Sequence, residues 1–412
     1  MQLIVIGGGA AGFFCAVTAA RLNPDCRVTI LEKSNKLLSK VRISGGGRCN
    51  VTHACFSITD MVKKYPRGQN FVKKTFHQFF TEDTITWFRE RGVLLKTEAD
   101  GRMFPVTDSS ETIINCLLKE ADKYRVQVSM RTEVSDIELK DGKWKIITSK
   151  EEIDNVDAVC VACGGYAKEV MFNWLSAQGH TFESPVPSLF TFNIPKDPIT
   201  MLMGISTSAR VKIKGTKLEE RGPVLITHWG LSGPAVLKLS AQAARELAGM
   251  NYHFTVIINW CSTLHETQVR ELFLQYRDTK GKQLIANRNE LAIPQRLWEY
   301  VCGISGVEKD LRWSDLSAVK QNALIRNLTA QECKVSGKTT YKEEFVTAGG
   351  IRLPEIDANT MESRVKKGLY FAGEVMDVDG VTGGFNFQHA WTSGFIAGKS
   401  IAALGNRTPT TG

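Results

Sequence analysis

The residues that point most clearly to chemistry are three glycines near the start of the chain. Gly7, Gly9 and Gly12 follow a short apolar run in the pattern G-x-G-x-x-G, and an alanine-rich segment comes next. In a strand–turn–helix unit, the first glycine permits a tight turn, the second lets a phosphate approach the backbone, and the third lets the helix pack close to the strand. Free N–H groups and the positive dipole end at the start of such a helix attract a pyrophosphate. The pattern therefore predicts a dinucleotide site.

An acidic residue stands where such a site needs one. Glu32 closes the second apolar run, twenty residues after Gly12, and a carboxylate at this distance binds ribose hydroxyls. The strand–helix–strand context makes the motif specific, and an ordinary glycine turn is the disfavoured alternative.

A second glycine-rich segment is Ser-Gly-Gly-Gly-Arg-Cys-Asn at 44–50. Three consecutive glycines exclude the interior of a helix or a strand, and they suit a backbone that passes close to a ligand. Lys40 and Arg48 offer positive charge to a pyrophosphate or an electron-rich ring, and Asn50 and Thr52 offer hydrogen bonds. A flexible surface loop is an equally good interpretation of these residues taken alone.

Composition limits the class of protein. A chain of 412 residues is too long for a single core, so two or three domains are expected. A hydrophobic content of 43% and a charged content of 23% are typical of soluble globular proteins. We expect no membrane span, no signal peptide and a cytoplasmic location. The ten cysteines have no framework spacing, which favours reduced thiols, and the isolated histidines predict no metal site.

The formal net charge of +9 raises the question of nucleic acid. The densest basic clusters are pairs, such as Lys63-Lys64 and Lys73-Lys74, and the remaining basic residues are spread along the chain. A solvated basic surface is therefore the favoured interpretation, and a nucleic-acid partner is disfavoured.

A pair of cysteines lies in the segment 157–165, which predicts a buried strand ending in a Gly-Gly turn. Cys160 and Cys163 form a C-x-x-C pair, which is a redox disulfide in some flavoenzymes. In an extended strand the two side chains face opposite sides, so they are poorly placed to form a bridge. We favour inert core thiols.

The predicted pattern of strands and helices changes at residue 188 and changes back near residue 345. The middle has short alternating strands up to about 260 and is mostly helical from 264 to 332. The chain then returns with predicted strands at 345–351 and 368–374 and a final helix at about 387–404. The alanine- and glycine-rich face of this helix suits close packing on a sheet.

An apolar strand ending in Ala-Gly-Glu374, followed by a glycine turn into a helix, resembles the closing motif of flavoproteins with the two-dinucleotide fold. The chain is identified as a member of the YhiN/BaiN-like family of FAD-dependent oxidoreductases, which includes aminoacetone-oxidase-like proteins. The motifs that carry the resemblance are GGGAAG at 7–12, SGGGRCN at 44–50, GRMFP at 101–105, THWGLSGPA at 227–235, VTAGGI at 346–351 and LYFAGEVMDVDGVTGGFNFQHA at 369–390.

The resemblance implies an α/β, glutathione-reductase-like FAD domain of the two-dinucleotide fold with two inserted domains. The FAD domain is expected at 1–187 and 346–412, a β-barrel-like domain at 188–262 plus 335–345, and a helical domain at 263–334. The residues expected to bind FAD non-covalently are Gly7, Gly9, Ala10, Ala11, Gly12, Glu32, Lys33, Lys40, Ser44, Gly45, Gly47, Arg48, Asn50, Thr52, Val134, Gly164, Gly373, Glu374, Gly384, Asn386, Phe387 and Gln388.

Because FAD carries the redox chemistry, no Ser-His-Asp-type set is expected. The catalytic candidates are Arg48, Cys49 and His228, and His389 is a further candidate near the flavin. For each histidine a structural role is favoured over proton transfer, and for Cys49 an inert thiol is favoured over a reactive one.

The predicted function is an FAD-dependent oxidoreductase that acts on a small organic molecule, with NAD(P)H as a transient electron donor. The resemblance implies either reduction of unsaturated oxo-steroids or amine oxidation. Two alternatives stay open: a flavoprotein associated with tRNA or other nucleic acid, and a flavin-dependent thiol or disulfide enzyme using Cys160 and Cys163. The sequence leaves the oligomeric state open.

Overall fold

The computed structural model describes residues 1–287, 290–339 and 346–405. The chain divides into two compact units: Met1–Pro187 with Lys342–Gly412, called the first unit, and Ser188–Tyr341, called the second unit. Residues 340–345, which include a predicted domain boundary and the first residue of the predicted strand 345–351, lie outside the described residues. Among the helices of the described ranges, none combines the length and the apolar character that crossing a membrane requires.

The strands are numbered along the chain. They are β1 (Gln2–Ile6), β2 (Arg27–Glu32), β3 (Thr52–His53), β4 (Leu95–Thr97), β5 (Arg102–Pro105), β6 (Gln127–Met130), β7 (Val134–Lys140), β8 (Lys143–Thr148), β9 (Glu152–Val156), β10 (Ala158–Val161), β11 (Phe182–Ser188), β12 (Thr191–Asn193), β13 (Ser206–Ile213), β14 (Glu219–Thr227), β15 (Gly230–Ser232), β16 (His253–Asn259), β17 (Gln331–Ser336), β18 (Lys338–Thr339), β19 (Val346–Ile351) and β20 (Leu369–Phe371).

The helices are numbered in the same way. They are α1 (Ala10–Leu22), α2 (Ser39–Gly47), α3 (Ile58–Val62), α4 (Gln69–Thr75), α5 (Thr81–Arg89), α6 (Ser110–Lys123), α7 (Asn173–Ser176), α8 (Pro234–Gln242), α9 (Ala244–Gly249), α10 (Glu266–Lys280), α11 (Gln295–Ile304), α12 (Ala318–Thr329) and α13 (Phe385–Ala402). Short 3₁₀ helices are found at Glu169–Phe172, Pro198–Leu202, Trp313–Asp315, Leu353–Glu355 and Gly373–Val375.

A five-stranded parallel sheet forms the centre of the first unit, in the order β20-β10-β1-β2-β6. Its central strand β1 is apolar because both faces of a parallel sheet are covered. The chain enters α1 directly after β1 and returns in β2, which is the predicted strand–helix–strand unit. The α/β class and the Rossmann-type domain are therefore confirmed.

Helix α13 packs on α1, and its glycines make this contact. A Cβ atom on Gly394 would lie 2.5 Å from the Ala11 carbonyl oxygen, and one on Gly398 would lie 2.4 Å from the Cys15 carbonyl oxygen. The two glycines therefore allow the two backbones to touch. The sequence predicted that this face packs on the sheet. The observed partner of these glycines is instead the helix formed by the other end of the chain.

The second unit is built on a seven-stranded antiparallel sheet in the order β17-β16-β13-β14-β15-β12-β18. Strands β17 and β18 are separated only by Gly337, so one continuous segment pairs with both ends of the sheet and closes it in the manner of a barrel. Residues from the strands and from α10, α11 and α12 contribute to one hydrophobic core. The division of this unit into a barrel-like and a helical domain stays a prediction.

Replacing Gly398 with alanine tests the helix contact. We expect Gly398→Ala to destabilise the first unit by about 1–3 kcal/mol, because the new methyl group overpacks a backbone contact. The matched control is Gly303→Ala in α11, where a Cβ meets no described atom within 4 Å. That change should stabilise its helix by about 0.5–1 kcal/mol. Thermal unfolding followed by circular dichroism measures both, and equal midpoints for the two variants would contradict the close helix contact.

Candidate cofactor site

The first glycine turn is shaped by two close backbone contacts. Gly7 has a φ of +113°, and its N–H donates to the Leu31 carbonyl oxygen at 2.8 Å. A Cβ on Gly7 would lie 2.4 Å from the Ala162 carbonyl oxygen, and one on Gly12 would lie 2.0 Å from the Gly7 carbonyl oxygen. These two positions require glycine for the turn and the helix to form at all.

Gly9 differs from its neighbours. Its φ of −95° is open to any residue, and no described atom lies within 4 Å of the place where its Cβ would be. Neither strain nor packing therefore explains the glycine. Helix α1 begins at the next residue and presents first-turn N–H groups that have no partner within the helix. Open space in front of such a helix end fits a pyrophosphate.

The carboxylate of Glu32 faces this turn. Its Oε2 accepts a hydrogen bond from the Gly8 N–H at 2.9 Å, and its Oε1 accepts one from the Ser34 N–H at 2.8 Å. Two backbone donors therefore fix the acid at the end of β2, where the sequence predicts a ribose contact. Lys33, the next residue, is exposed.

The second glycine loop interrupts α2. Ser44 is extended with a ψ of 147°, and Gly45, Gly46 and Gly47 have φ values of +60°, +71° and +85°. Residues with a side chain rarely adopt this left-handed backbone conformation. The three glycines adopt it and lie in a turn, as their sequence predicts. A Cβ on Gly47 would meet no described atom within 4 Å.

Arg48 is already surrounded by partners. Its guanidinium donates to Glu98 at 2.6 Å, lies 3.6 Å from a carboxylate oxygen of Asp108, and stacks on the ring of Phe104 at 4.0 Å. The hydrogen bond that Arg48 donates to Glu98 raises the pKa of Arg48. Much of its charge is therefore balanced within the protein, and its predicted role in catalysis stays a prediction.

Cys49 is fully buried, and burial raises the pKa of its thiol to about 12. At neutral pH the group is protonated, whereas a nucleophilic role needs the thiolate. The environment of Cys49 therefore favours the inert thiol over the reactive one.

Asn50 and Thr52 tie the second loop to α13. With its amide oriented to satisfy both neighbours, Asn50 accepts from the Gly384 N–H at 2.9 Å and donates to the Thr52 carbonyl oxygen at 3.0 Å. The Thr52 hydroxyl donates to Gln388 Oε1 at 2.6 Å. Trp391, which sequence reasoning did not select, adds a bond from its indole N–H to the Val51 carbonyl oxygen at 2.9 Å. The start of α13 is thus held against the loop.

Two predicted residues from distant parts of the sequence, Lys40 and Glu374, are in direct contact. The Glu374 carboxylate accepts from the Lys40 ammonium group at 2.5 Å through Oε2 and from the Thr347 N–H at 2.8 Å through Oε1. The preceding Gly373 has a φ of +76° and lies against α1, since its Cβ would be 2.9 Å from the Ala11 Cβ. The acid of the closing motif and the start of α1 are therefore neighbours.

Three predicted residues of α13 direct their side chains into the protein. Asn386 exchanges two hydrogen bonds with Gly380, at 2.7 and 2.9 Å, and Phe387 stacks on Trp391 with the ring centres 5.6 Å apart. Gln388 is fully buried and bonds the hydroxyls of three threonines, Thr52, Thr84 and Thr392. These side chains shape the start of the helix, and direct FAD contact from them stays a prediction.

The remaining predicted residues lie apart from these contacts. Val134 begins β7, and Gly164 has a φ of +78° with open space at its Cβ position. His228 is exposed in the turn between β14 and β15 of the second unit, where it contacts Trp229 edge-on. Its catalytic role stays a prediction.

Cys160 and Cys163 are free thiols. Strand β10 ends at Val161, so only Cys160 lies within it, and Cys163 belongs to the following turn. Burial raises the pKa of Cys163 to about 11, which disfavours thiolate chemistry at neutral pH.

A parallel sheet with a glycine turn after its first strand, an acid after its second and an open helix N-terminus defines a Rossmann-type nucleotide-binding protein. The family can be stated more closely. A model of the HI0933-like protein Rossmann domain matches residues 1–400, so the chain belongs to this family. It is an FAD-dependent oxidoreductase, which confirms the resemblance and the cofactor inferred from the sequence.

Two curated relatives match along nearly the whole chain. A 3-dehydro-bile acid delta(4,6)-reductase from Clostridium scindens is 28% identical, and a ribosomal RNA dihydrouridine synthase from Haemophilus influenzae is 30% identical. Each alignment covers 97% of this chain and 98% of the relative.

Solved structures share the fold. A 3-ketosteroid-Δ4-(5α)-dehydrogenase from Rhodococcus jostii RHA1 superimposes with a TM-score of 0.52 at 14% identity, covering 97% of each chain. An open flavocytochrome c3 fumarate reductase gives a TM-score of 0.51 at 16% identity, covering 98% of this chain and 78% of that one.

The contrast between Gly9 and Gly12 gives a test of the site. We expect Gly9→Ala to fold normally but to weaken FAD binding at least tenfold, because its methyl group would project into the space in front of α1. Gly12→Ala should instead lower the thermal midpoint of the FAD-free protein. Flavin fluorescence titration and thermal unfolding measure the two effects. Normal FAD affinity in Gly9→Ala would place the pyrophosphate elsewhere.

Proposed function

We propose that the enzyme reduces a carbon–carbon double bond conjugated to a carbonyl group in a small organic molecule. The observation that carries this proposal is the shared chemistry of its two relatives. A delta(4,6)-reductase of a 3-oxo steroid and a dihydrouridine synthase both saturate such a bond, in otherwise unrelated molecules. Both relatives align with 97% of the chain, and both saturate the same kind of bond. This agreement favours double-bond reduction over amine oxidation.

The residues of the first unit fit FAD. The N-terminus of α1 and the space at Gly9 would hold the pyrophosphate, and Glu32 would hold the adenosine ribose. The N-terminus of α13, which follows Gly384, would place its positive dipole end at the reduced flavin and favour its negative charge. FAD, when bound, supplies the hydride.

We further propose NAD(P)H as a transient electron donor and the cytoplasm as the location, as the sequence suggests. The FAD domain is proposed to comprise 1–187 and 346–412. Support for these limits comes from the first unit, which joins the two ends of the chain in one compact body.

Anaerobic reoxidation tests the reaction. The purified holoenzyme is reduced with dithionite and mixed with a 3-oxo-4-ene steroid, with the matching saturated ketone as control. We expect the enone to restore the absorbance of oxidised flavin and to gain two hydrogen atoms by mass spectrometry, while the saturated ketone does neither. If neither compound reacts and a primary amine bleaches the oxidised enzyme, amine oxidation replaces this proposal.

A second candidate substrate is uridine within RNA, and the distribution of charge favours it. The second unit, Ser188–Tyr341, has 20 Lys and Arg against 13 Asp and Glu, so it carries +7 of the net +9. Arg210 and Lys212 are half-buried residues of β13 that alternate with fully buried ones. Arg210 lies directly opposite Arg221 of β14, and Lys212 lies opposite Glu219. Like charges placed opposite each other are destabilising unless an anion lies nearby.

A double substitution tests the RNA candidate. We expect Arg210→Thr with Lys212→Thr to weaken binding of ribosomal RNA at least tenfold and to reduce the slope of log affinity against log salt by about 2, because two phosphate contacts are lost. The control is Lys73→Thr with Lys74→Thr, which removes an exposed pair from α4. Filter binding over a salt series measures both. Equal affinities for the two variants would count against RNA.

A further inference from the structure

Two buried polar atoms beside Gly373 and Glu374 have no hydrogen-bond partner among the described residues. They are the Thr347 hydroxyl and the His389 Nδ1 atom. Thr347 is 1% exposed and His389 is 2% exposed, so water does not reach them freely. Buried polar atoms without a partner are rare in native proteins, and an absent ligand is one of their ordinary explanations.

Thr347 lies against the acid of the closing motif. Its N–H donates to Glu374 Oε1 at 2.8 Å, while its hydroxyl bonds nothing in the described chain. A Cβ on Gly165 would lie 2.6 Å from this hydroxyl and 2.8 Å from Glu374 Oε1. Gly165, Thr347 and Glu374 therefore come together, and glycine is needed for this approach.

His389 lies against Gly373, the residue before Glu374. Its Nε2 is 3.3 Å from the Gly373 carbonyl oxygen, which can only accept, so Nε2 carries the proton. Burial lowers the pKa of His389 to about 4, which keeps the ring neutral at physiological pH. The unpartnered Nδ1 is therefore a hydrogen-bond acceptor and needs a donor.

The need for a donor selects the kind of ligand group. Phosphate oxygens carry no proton at neutral pH, so a pyrophosphate cannot satisfy the Nδ1 atom of His389. Hydroxyl groups donate and accept, so a chain of hydroxyls satisfies both His389 and Thr347. The ribityl chain of FAD is such a group.

We propose that Thr347 and His389 bind the ribityl hydroxyls of FAD, with His389 accepting a hydrogen bond through Nδ1. The proposal rests on FAD binding at the first unit. It adds to Glu374 two residues that come from β19 and α13.

Three variants test this proposal. Thr347→Val removes the hydroxyl and keeps the backbone bond to Glu374. His389→Gln keeps an N–H donor that can reach the Gly373 carbonyl, but its amide oxygen lies beside that donor and leaves the position of Nδ1 without an acceptor. Thr81→Val is the matched control, since Thr81 has another buried hydroxyl without a partner among the described residues, at the start of α5. Each apoprotein is titrated with FAD, and separately with ADP, which lacks the ribityl chain.

We expect Thr347→Val and His389→Gln each to raise the Kd for FAD about five- to tenfold, with an unchanged Kd for ADP and an unchanged thermal midpoint without ligand. The control should match the wild type in all three. An unchanged Kd for FAD, or an equal rise for FAD and ADP, would overturn the ribityl assignment. If the wild type binds no FAD, the cofactor reading itself fails, which is a separate result.

Discussion

The first unit depends on a direct backbone contact between its first and last helices. Gly394 and Gly398 of α13 meet the Ala11 and Cys15 carbonyl oxygens of α1, and the numbers rise together along both helices. The helices therefore run in the same direction, and both N-termini point the same way. Because α13 begins eight residues before the position level with the start of α1, its N-terminus extends about 12 Å further. Two positive helix ends at this offset suit a cofactor with a pyrophosphate and a distant ring.

The carboxylates of the site are held by fixed hydrogen-bond donors. Glu32 is fixed by two backbone N–H groups, and Glu374 by one N–H and the Lys40 ammonium. Acids next to helix N-termini keep defined positions when fixed donors satisfy them, and defined positions are what ribose and ribityl hydroxyls need. The second loop also supports the arrangement, since Asn50 bonds Gly384, the residue directly before α13.

The parts of the site that the sequence predicts are those with local causes. Gly7 and Gly12 encode a turn and a close contact within a few residues, and Glu32 ends a strand of the same unit, so their spacing is sufficient. The direction of the Gln388 side chain depends on partners more than 300 residues away in sequence, Thr52 and Thr84. The family motif named Asn386 and Gln388 without revealing that protein groups satisfy them. The sequence did not single out Thr347, and it offered His389 only as a candidate near the flavin, because an unpartnered atom is visible only when its surroundings are known.

The most direct test of this account is hydrogen–deuterium exchange with and without FAD. One cofactor held by both ends of the chain should slow exchange at the same FAD concentration in two peptides, one covering α1 and its preceding turn and one covering 369–390. Both should reach half of their protection at the same concentration. Protection of the N-terminal peptide alone would contradict the central claim, because the site would then be built from one end of the chain.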